Sequence, residues 1–195
     1  MASKNWKDYV TGVGRLLAAV SVRDRAGKEL GPDQGFAIWS LMTTEARQLR
    51  KTIFLIGNGA SASMASHLAA DLAKNGQLRT EVFTDLSLIT AISNDLGFDQ
   101  IFSEPLRRRA SRGDLLVAIS SSGRSPNILR AVELAHSLDL PLITLSAMDP
   151  DNPLRQAGDL NFHVGATTYG QAETCHAAIL HHWMDLVEIR DSKIR

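Results

Sequence analysis

Two glycine- and serine-rich loops, a histidine–carboxylate pair and a histidine-rich last helix carry the residues of this chain that could do chemistry. In LVAISSSGRSPNILR (residues 116–130) an apolar run ends in Ser120, Ser121, Ser122, Gly123, Arg124 and Ser125, and Pro126 stands where a helix would begin. Strand, hydroxyl-rich loop and helix N-terminus in that order make an anion site. Backbone N–H groups and the positive end of the helix dipole converge on a phosphate. Serine hydroxyls add donors without charge, and Gly123 permits a tight turn. FLIGNGASASMASH (residues 54–67) repeats the plan with Gly57, Gly59 and Ser61. One such loop alone reads equally well as a serine-rich surface turn; two of them favour phosphate. A dinucleotide site is disfavoured, because the third glycine of GxGxxG is missing and no acidic residue closes a second strand about 20 residues on.

His67 and Asp71 lie four apart, on one face of a helix. Such a pair can ligate zinc or act as base and acid, although an isolated HxxxD is more commonly a solvated surface pair. The last helix holds Gln171, Glu173, His176, His181 and His182. At about 100° per residue, Glu173 and His181 are about 80° apart, with His176 on the same side, so these three can face one site. Gln171 and His182 form a rival pair about 20° apart. His136 and His163 have no acidic company at useful spacing and read as structural. Asn94, Asp95, Leu96 and Gly97 read as a helix end that turns at the glycine. Beside two phosphate loops, Asp95 becomes a candidate for gripping a substrate hydroxyl.

The pattern of elements that must position these residues is α/β. Helical spacing runs over residues 6–22 and 33–49, joined by a charged, glycine-bearing loop at 23–32. Strands are expected at 52–56, 81–84, 115–119, 142–145 and 160–164. Helices are expected at 61–74, 87–96, 100–110, 126–138 and 168–189. Several strands are continuous apolar runs, as in a parallel sheet covered on both faces. The expected architecture is one doubly wound domain. An N-terminal helical pair (1–50) serves packing or assembly, and residues 51–195 hold a central five-stranded parallel sheet flanked by helices.

Composition removes several function classes. The chain has 195 residues, 44% of them apolar, with 21 basic and 21 acidic side chains. Zero net charge gives no field to recruit nucleic acid or a membrane surface. The one basic cluster, Arg107, Arg108, Arg109 and Arg112, reads as a solvated helix face or an oligomer contact. A single cysteine, Cys175, allows no internal disulfide and fits a reducing compartment. With no signal-peptide core at the N-terminus and no apolar run of membrane-spanning length, a cytoplasmic protein is expected.

Four segments together resemble the sugar isomerase (SIS) domain family, and within it the sedoheptulose-7-phosphate isomerases. They are GNGASASMASHLA (57–69), TDLSLITAISNDLGFDQIFS (84–103), GDLLVAISSSGRSPNILRA (113–131) and ETCHAAILHH (173–182). The TAxxNDxG pattern of the second is the specific one, and the resemblance spans nearly the whole chain. It implies a five-stranded parallel sheet and a homotetramer with active sites between subunits. It also implies an aldose–ketose isomerisation of a sugar phosphate through an enediol(ate), assisted by one divalent cation, zinc by ligand type. By that resemblance Asn58, Ser61, Ser120, Ser121, Ser122 and Ser125 hold the phosphate and neighbouring hydroxyls, and Asp95 contacts the sugar chain. His67 and His181 match metal ligands, His181 also serving as acid and base. The family's catalytic glutamate falls on Asp71, one methylene shorter, and its glutamine ligand falls on Glu173, which adds a charge and can itself be the base. Asp71 and Glu173 thus join both the catalytic and the metal set, and Glu173 the substrate set. The family's aspartate before the last helix falls on Gly170. Two rivals remain: an isomerase of another sugar phosphate, and a non-enzymatic tetramer of the same family that binds the replication initiator. A sugar-phosphate-sensing regulator would carry a DNA-binding domain, and no basic helix-turn-helix is present.

Overall fold

β4 (Leu115–Ser120) and β5 (Leu142–Ala147) are buried at every position, which only the middle of a sheet covered on both faces provides. In the computed structural model, which describes residues 5–192, they form the centre of one six-stranded sheet. Its other members are β1 (Ser21–Asp24), β2 (Thr52–Gly57), β3 (Arg79–Glu81) and β6 (Leu160–Val164), in the order β1-β6-β5-β4-β2-β3. All neighbours are parallel except β1 against β6.

Alternation along the strands sorts the core into two layers. Ile53, Leu55, Leu115, Val117 and Ile119 face one side of the sheet. There α1 (Trp6–Ala18), α2 (Pro32–Gln48), α3 (Ala60–Lys74) and the long α8 (Tyr169–Ser192) cover them. Phe54, Ile56, Leu116 and Ala118 face the other side, under α4 (Leu86–Asp95), α5 (Ser103–Arg109), α6 (Pro126–Ser137) and the short α7 (Pro153–Ala157). Each fully buried Leu, Ile or Phe of these layers contributes roughly 1.5–3 kcal/mol relative to exposure. Trp39 and Trp183, stacked 4.2 Å apart, clamp α2 to α8.

The sheet has six strands where the sequence pattern predicts five. The extra one lies in the leading segment, where helical spacing was extended to residue 22. α1 stops at Ala18, and Val20 and Val22 are buried at alternate positions, a period-2 signal hidden behind a period-3.6 one. Ser21–Asp24 pairs antiparallel with β6, Ser21 opposite His163 and Asp24 opposite Leu160. β3 lies at 79–81 rather than 81–84, in register with Thr52–Phe54. α7 has no apolar period to announce it. Its marks are the N-cap Asn152, whose side chain accepts from the Arg155 N–H, and Pro153 in the first turn. Among the described residues no helix is long and apolar enough to cross a membrane.

Candidate active site

Both predicted loops sit at the carboxyl ends of adjacent strands, β2 and β4, where ligands bind in open α/β sheets. β2 ends at Gly57, whose added Cβ would lie 2.6 Å from the Ser61 Cβ. Only glycine lets α3 start this close to its strand. Neither Gly59 before α3 nor Ser125 before α6 makes a side-chain capping bond, so both helix N-termini face the loops without a side-chain cap. A pair of reciprocal amide bonds, Asn58 to Asn127 and back, each 2.9 Å, ties one loop to the other.

The loops enclose a cleft of about 120 Å³ lined by Asn58, Ser61, Ser120, Ser121, Ser122 and Ser125, with Tyr169 and Glu173 closing it from α8. Ser120 Oγ lies 3.2 Å from Ser125 Oγ and 3.5 Å from Ser122 Oγ. Three hydroxyls therefore cluster at the end of β4, bonded to one another and, at Ser122 Oγ, to the Arg124 N–H at 3.3 Å. An oxyanion offers them better acceptors. At the rim Arg124 pairs with Asp149 at 2.5 Å. The Asp151 amide and Arg124 hold the Asp149 carboxyl below its usual range. Six of the predicted substrate residues, with Glu173, are thus brought together.

A second cluster lies further along the same two helices. His67 Nε2 is 3.4 Å from Asp71 Oδ2 on α3, and the His67 ring is 5.3 Å from that of His181 on α8. His182 turns away and packs edge-on against Phe36 at 4.6 Å. Of the adjacent pair, His181 faces α3, whereas His182, itself exposed, lies against Phe36. Glu173 is eight residues from His181, about 12 Å of rise along the helix axis, and its side chain lines the serine cleft. As the side chains stand, no three His, Cys, Asp or Glu groups among the described residues close around one point. The donor chemistry of His67, His181 and Asp71, two imidazoles and a carboxylate, nevertheless suits zinc.

Asp95 lies apart from both clusters within the chain. It is exposed at the end of α4, accepts from Asn94 Nδ2 at 2.8 Å, and lines a separate groove with Leu88, Leu96 and Arg108. The helix does end and turn there, but Gly97, expected in the αL position, stands at φ +107° and ψ 151°, a positive-φ extended conformation open to glycine. His176 does not share a face with the site: it is fully buried, bonded to the Ser146 carbonyl at 3.1 Å. The arginine cluster is taken up by carboxylates, Arg107 and Arg108 by Glu104, Arg109 by Glu81 and Arg112 by Asp139. Asn127 and Tyr169 escaped the sequence reading. Asn127 follows its loop much as Asn58 follows β2, a symmetry visible in the sequence, whereas nothing in spacing marks Tyr169.

Comparison with known proteins places this geometry. The SIS domain model matches residues 35–147. Phosphoheptose isomerase of Campylobacter concisus is 35% identical over 72% of this chain and 77% of its own. That of Citrifermentans bemidjiense is 33% identical over 89% and 92%. Among solved structures, a phosphoheptose isomerase from Francisella tularensis superposes with a TM-score of 0.80 at 25% identity, covering 93% of this chain and 95% of that one. The enzyme from Neisseria gonorrhoeae gives 0.75 at 27%, over 93% and 92%. With paired phosphate-type loops in place and a domain model matched across more than half of its length, the chain belongs to the SIS domain family, on the side of the phosphoheptose isomerases.

Proposed function

We propose that this sugar-phosphate isomerase interconverts sedoheptulose 7-phosphate and D-glycero-D-manno-heptose 7-phosphate in the cytoplasm. The observation that carries the reading is the division of labour along α3 and α8. A serine cleft for the phosphate, with Glu173 at its wall, lies at their N-terminal ends, and a histidine–carboxylate cluster follows about two to three turns on. Phosphate bound at the cleft holds the far end of the substrate, which places the carbonyl end against acid–base groups of the same helices. A carboxylate, Asp71 or Glu173, removes the proton from the carbon beside the carbonyl. The His181 imidazole moves a proton between the two oxygens of the resulting cis-enediol(ate). His67, His181 and Asp71 would hold a divalent cation, with Glu173 as a further ligand reaching toward it from the serine cleft. When bound, zinc polarises the carbonyl and stabilises developing negative charge.

The functional unit in this reading is a homotetramer with sites between subunits. Trp6, Leu86, Leu41 and Phe98 are 76%, 73%, 61% and 56% exposed, and a second copy is the partner that would cover them. Asp95 then reaches the sugar chain from a neighbouring subunit. Isomerisation run in deuterium oxide tests the chemistry. Deuterium appears at the carbon next to the carbonyl if a proton is removed there, whereas product without deuterium, in a reaction slow enough to exchange, contradicts the enediol route.

A further inference from the structure

The tip of β5 joins the helix that carries Glu173 to the loop that carries the serines. His176 lies one turn beyond Glu173 on α8, and its Nε2–H donates to the Ser146 carbonyl at 3.1 Å. The next N–H, that of Ala147, donates to the Ser121 carbonyl at 3.0 Å. This carbonyl and this N–H are two ends of one planar peptide group. The imidazole and the serine loop therefore grip the same rigid unit from opposite sides. Past it, Asn152 Nδ2 donates to the Ala147 carbonyl at 3.4 Å, and the Leu154 N–H donates to the Gly123 carbonyl at 3.2 Å. The back of the loop is thereby fixed at a second point.

A histidine is a poor choice for this place on packing grounds alone. It is fully buried, and burial pushes its ring down to about 4, so it is neutral. The carbonyl partner puts its one proton on Nε2, and Nδ1 has no hydrogen-bond partner among the described residues. A leucine would fill the space without leaving a bare acceptor in an apolar layer. What histidine adds is the donor.

We propose that His176 is a positioning residue of the phosphate cleft: through the Ser146–Ala147 peptide it sets the serine loop where Ser120–Ser125 and Glu173 face the same sugar phosphate. Donation to the Ser146 carbonyl also polarises the peptide and strengthens the Ala147 bond to the loop. The proposal rests on reading the cleft as a sugar-phosphate site, and inorganic phosphate serves as a probe of the cleft separate from turnover. In the intact protein His176→Leu removes the donor and keeps the bulk, while His176→Gln retains an N–H donor of similar reach. The expected result for His176→Leu is a rise of about tenfold in both the phosphate Kd and the sugar-phosphate KM, the scale of one lost hydrogen bond. Its kcat stays within about threefold of wild type, and His176→Gln recovers most of the affinity. Unchanged phosphate affinity in His176→Leu, or His176→Gln no better than His176→Leu, overturns the proposal. Should His176→Leu fail to fold, NMR of the wild type decides. The His176 Nε2–H and Ala147 amide signals are expected to shift as phosphate is added, and signals that stay put while serine-loop amides move overturn the relay. Wild-type protein that binds no phosphate overturns the reading of the cleft, and the relay with it.

Discussion

Asp71 and Glu173 are the two carboxylates whose placement decides how the chemistry is shared. Asp71 stands beside His67, whose ring faces that of His181, whereas Glu173 lines the serine cleft. If Asp71 is the base, Asp71→Asn lowers kcat by about 100-fold or more with little change in KM, while Glu173→Gln keeps most of kcat and lowers KM by relieving repulsion with the phosphate. Steady-state kinetics of the two variants separates the roles, and the opposite pattern makes Glu173 the base. These residues were legible because their types are chemical and their spacing helical. What the pattern left open was which of His181 and His182 faces inward. The 20° between Gln171 and His182 says nothing of Phe36, a residue of another helix, which claims His182. His176 was misplaced for the same reason: its partner is a backbone carbonyl 30 residues away, which no local period reveals.

At the scale of elements, the loop after β4 holds its shape through Gly123. Its φ is +63°, and a Cβ there would lie 1.9 Å from Asn152 Oδ1. Asn152 is itself buried and caps α7, so it cannot withdraw cheaply. Gly123→Ala is expected to destabilise the protein by about 2 kcal/mol or more and to weaken phosphate binding by more than the loss of stability alone explains. Urea unfolding beside phosphate titration checks both. A variant of wild-type stability and affinity would mean that the loop is not held by this contact. The two strand–loop–helix units were readable because glycine, serine and proline mark them where the apolar run stops. β1 was not, because Val20 and Val22 continue the apolar rhythm of α1, and only the exposed edge of β6 turns them into a strand.

For the whole molecule, two buried histidines make stability depend on pH. Burial, with Arg155, His176 and Arg23 nearby and Asp149 opposing them, holds His163 down at about 4; burial holds His176 at about 4 against its carbonyl bond. The unfolded chain titrates both near 6.5 and so takes up protons first as the pH falls. Their stabilisation is complete above about pH 6.5 and is lost between 6.5 and 4, at up to about 1.4 kcal/mol per pH unit for each. Unfolding midpoints across that range are expected to fall steeply in the wild type and less steeply in His176→Gln; identical slopes would contradict the assignment. Assembly gives a second molecular test. Asp95 lies outside the serine cleft of its own chain. Mixing inactive Asp95→Ala subunits with inactive Ser120→Ala subunits in equal amounts is therefore expected to restore up to about a quarter of the wild-type activity if sites are shared, and none if they are not.

The most direct measurement is turnover itself: metal-stripped protein with sedoheptulose 7-phosphate, with and without added zinc, followed by NMR, beside pentose and hexose phosphates. Zinc-dependent appearance of the aldoheptose phosphate, faster than any shorter sugar is converted and lost in His181→Ala, is the predicted result. No conversion of the heptose phosphate by the zinc-loaded protein, or preferred conversion of a pentose or hexose phosphate, would contradict the account.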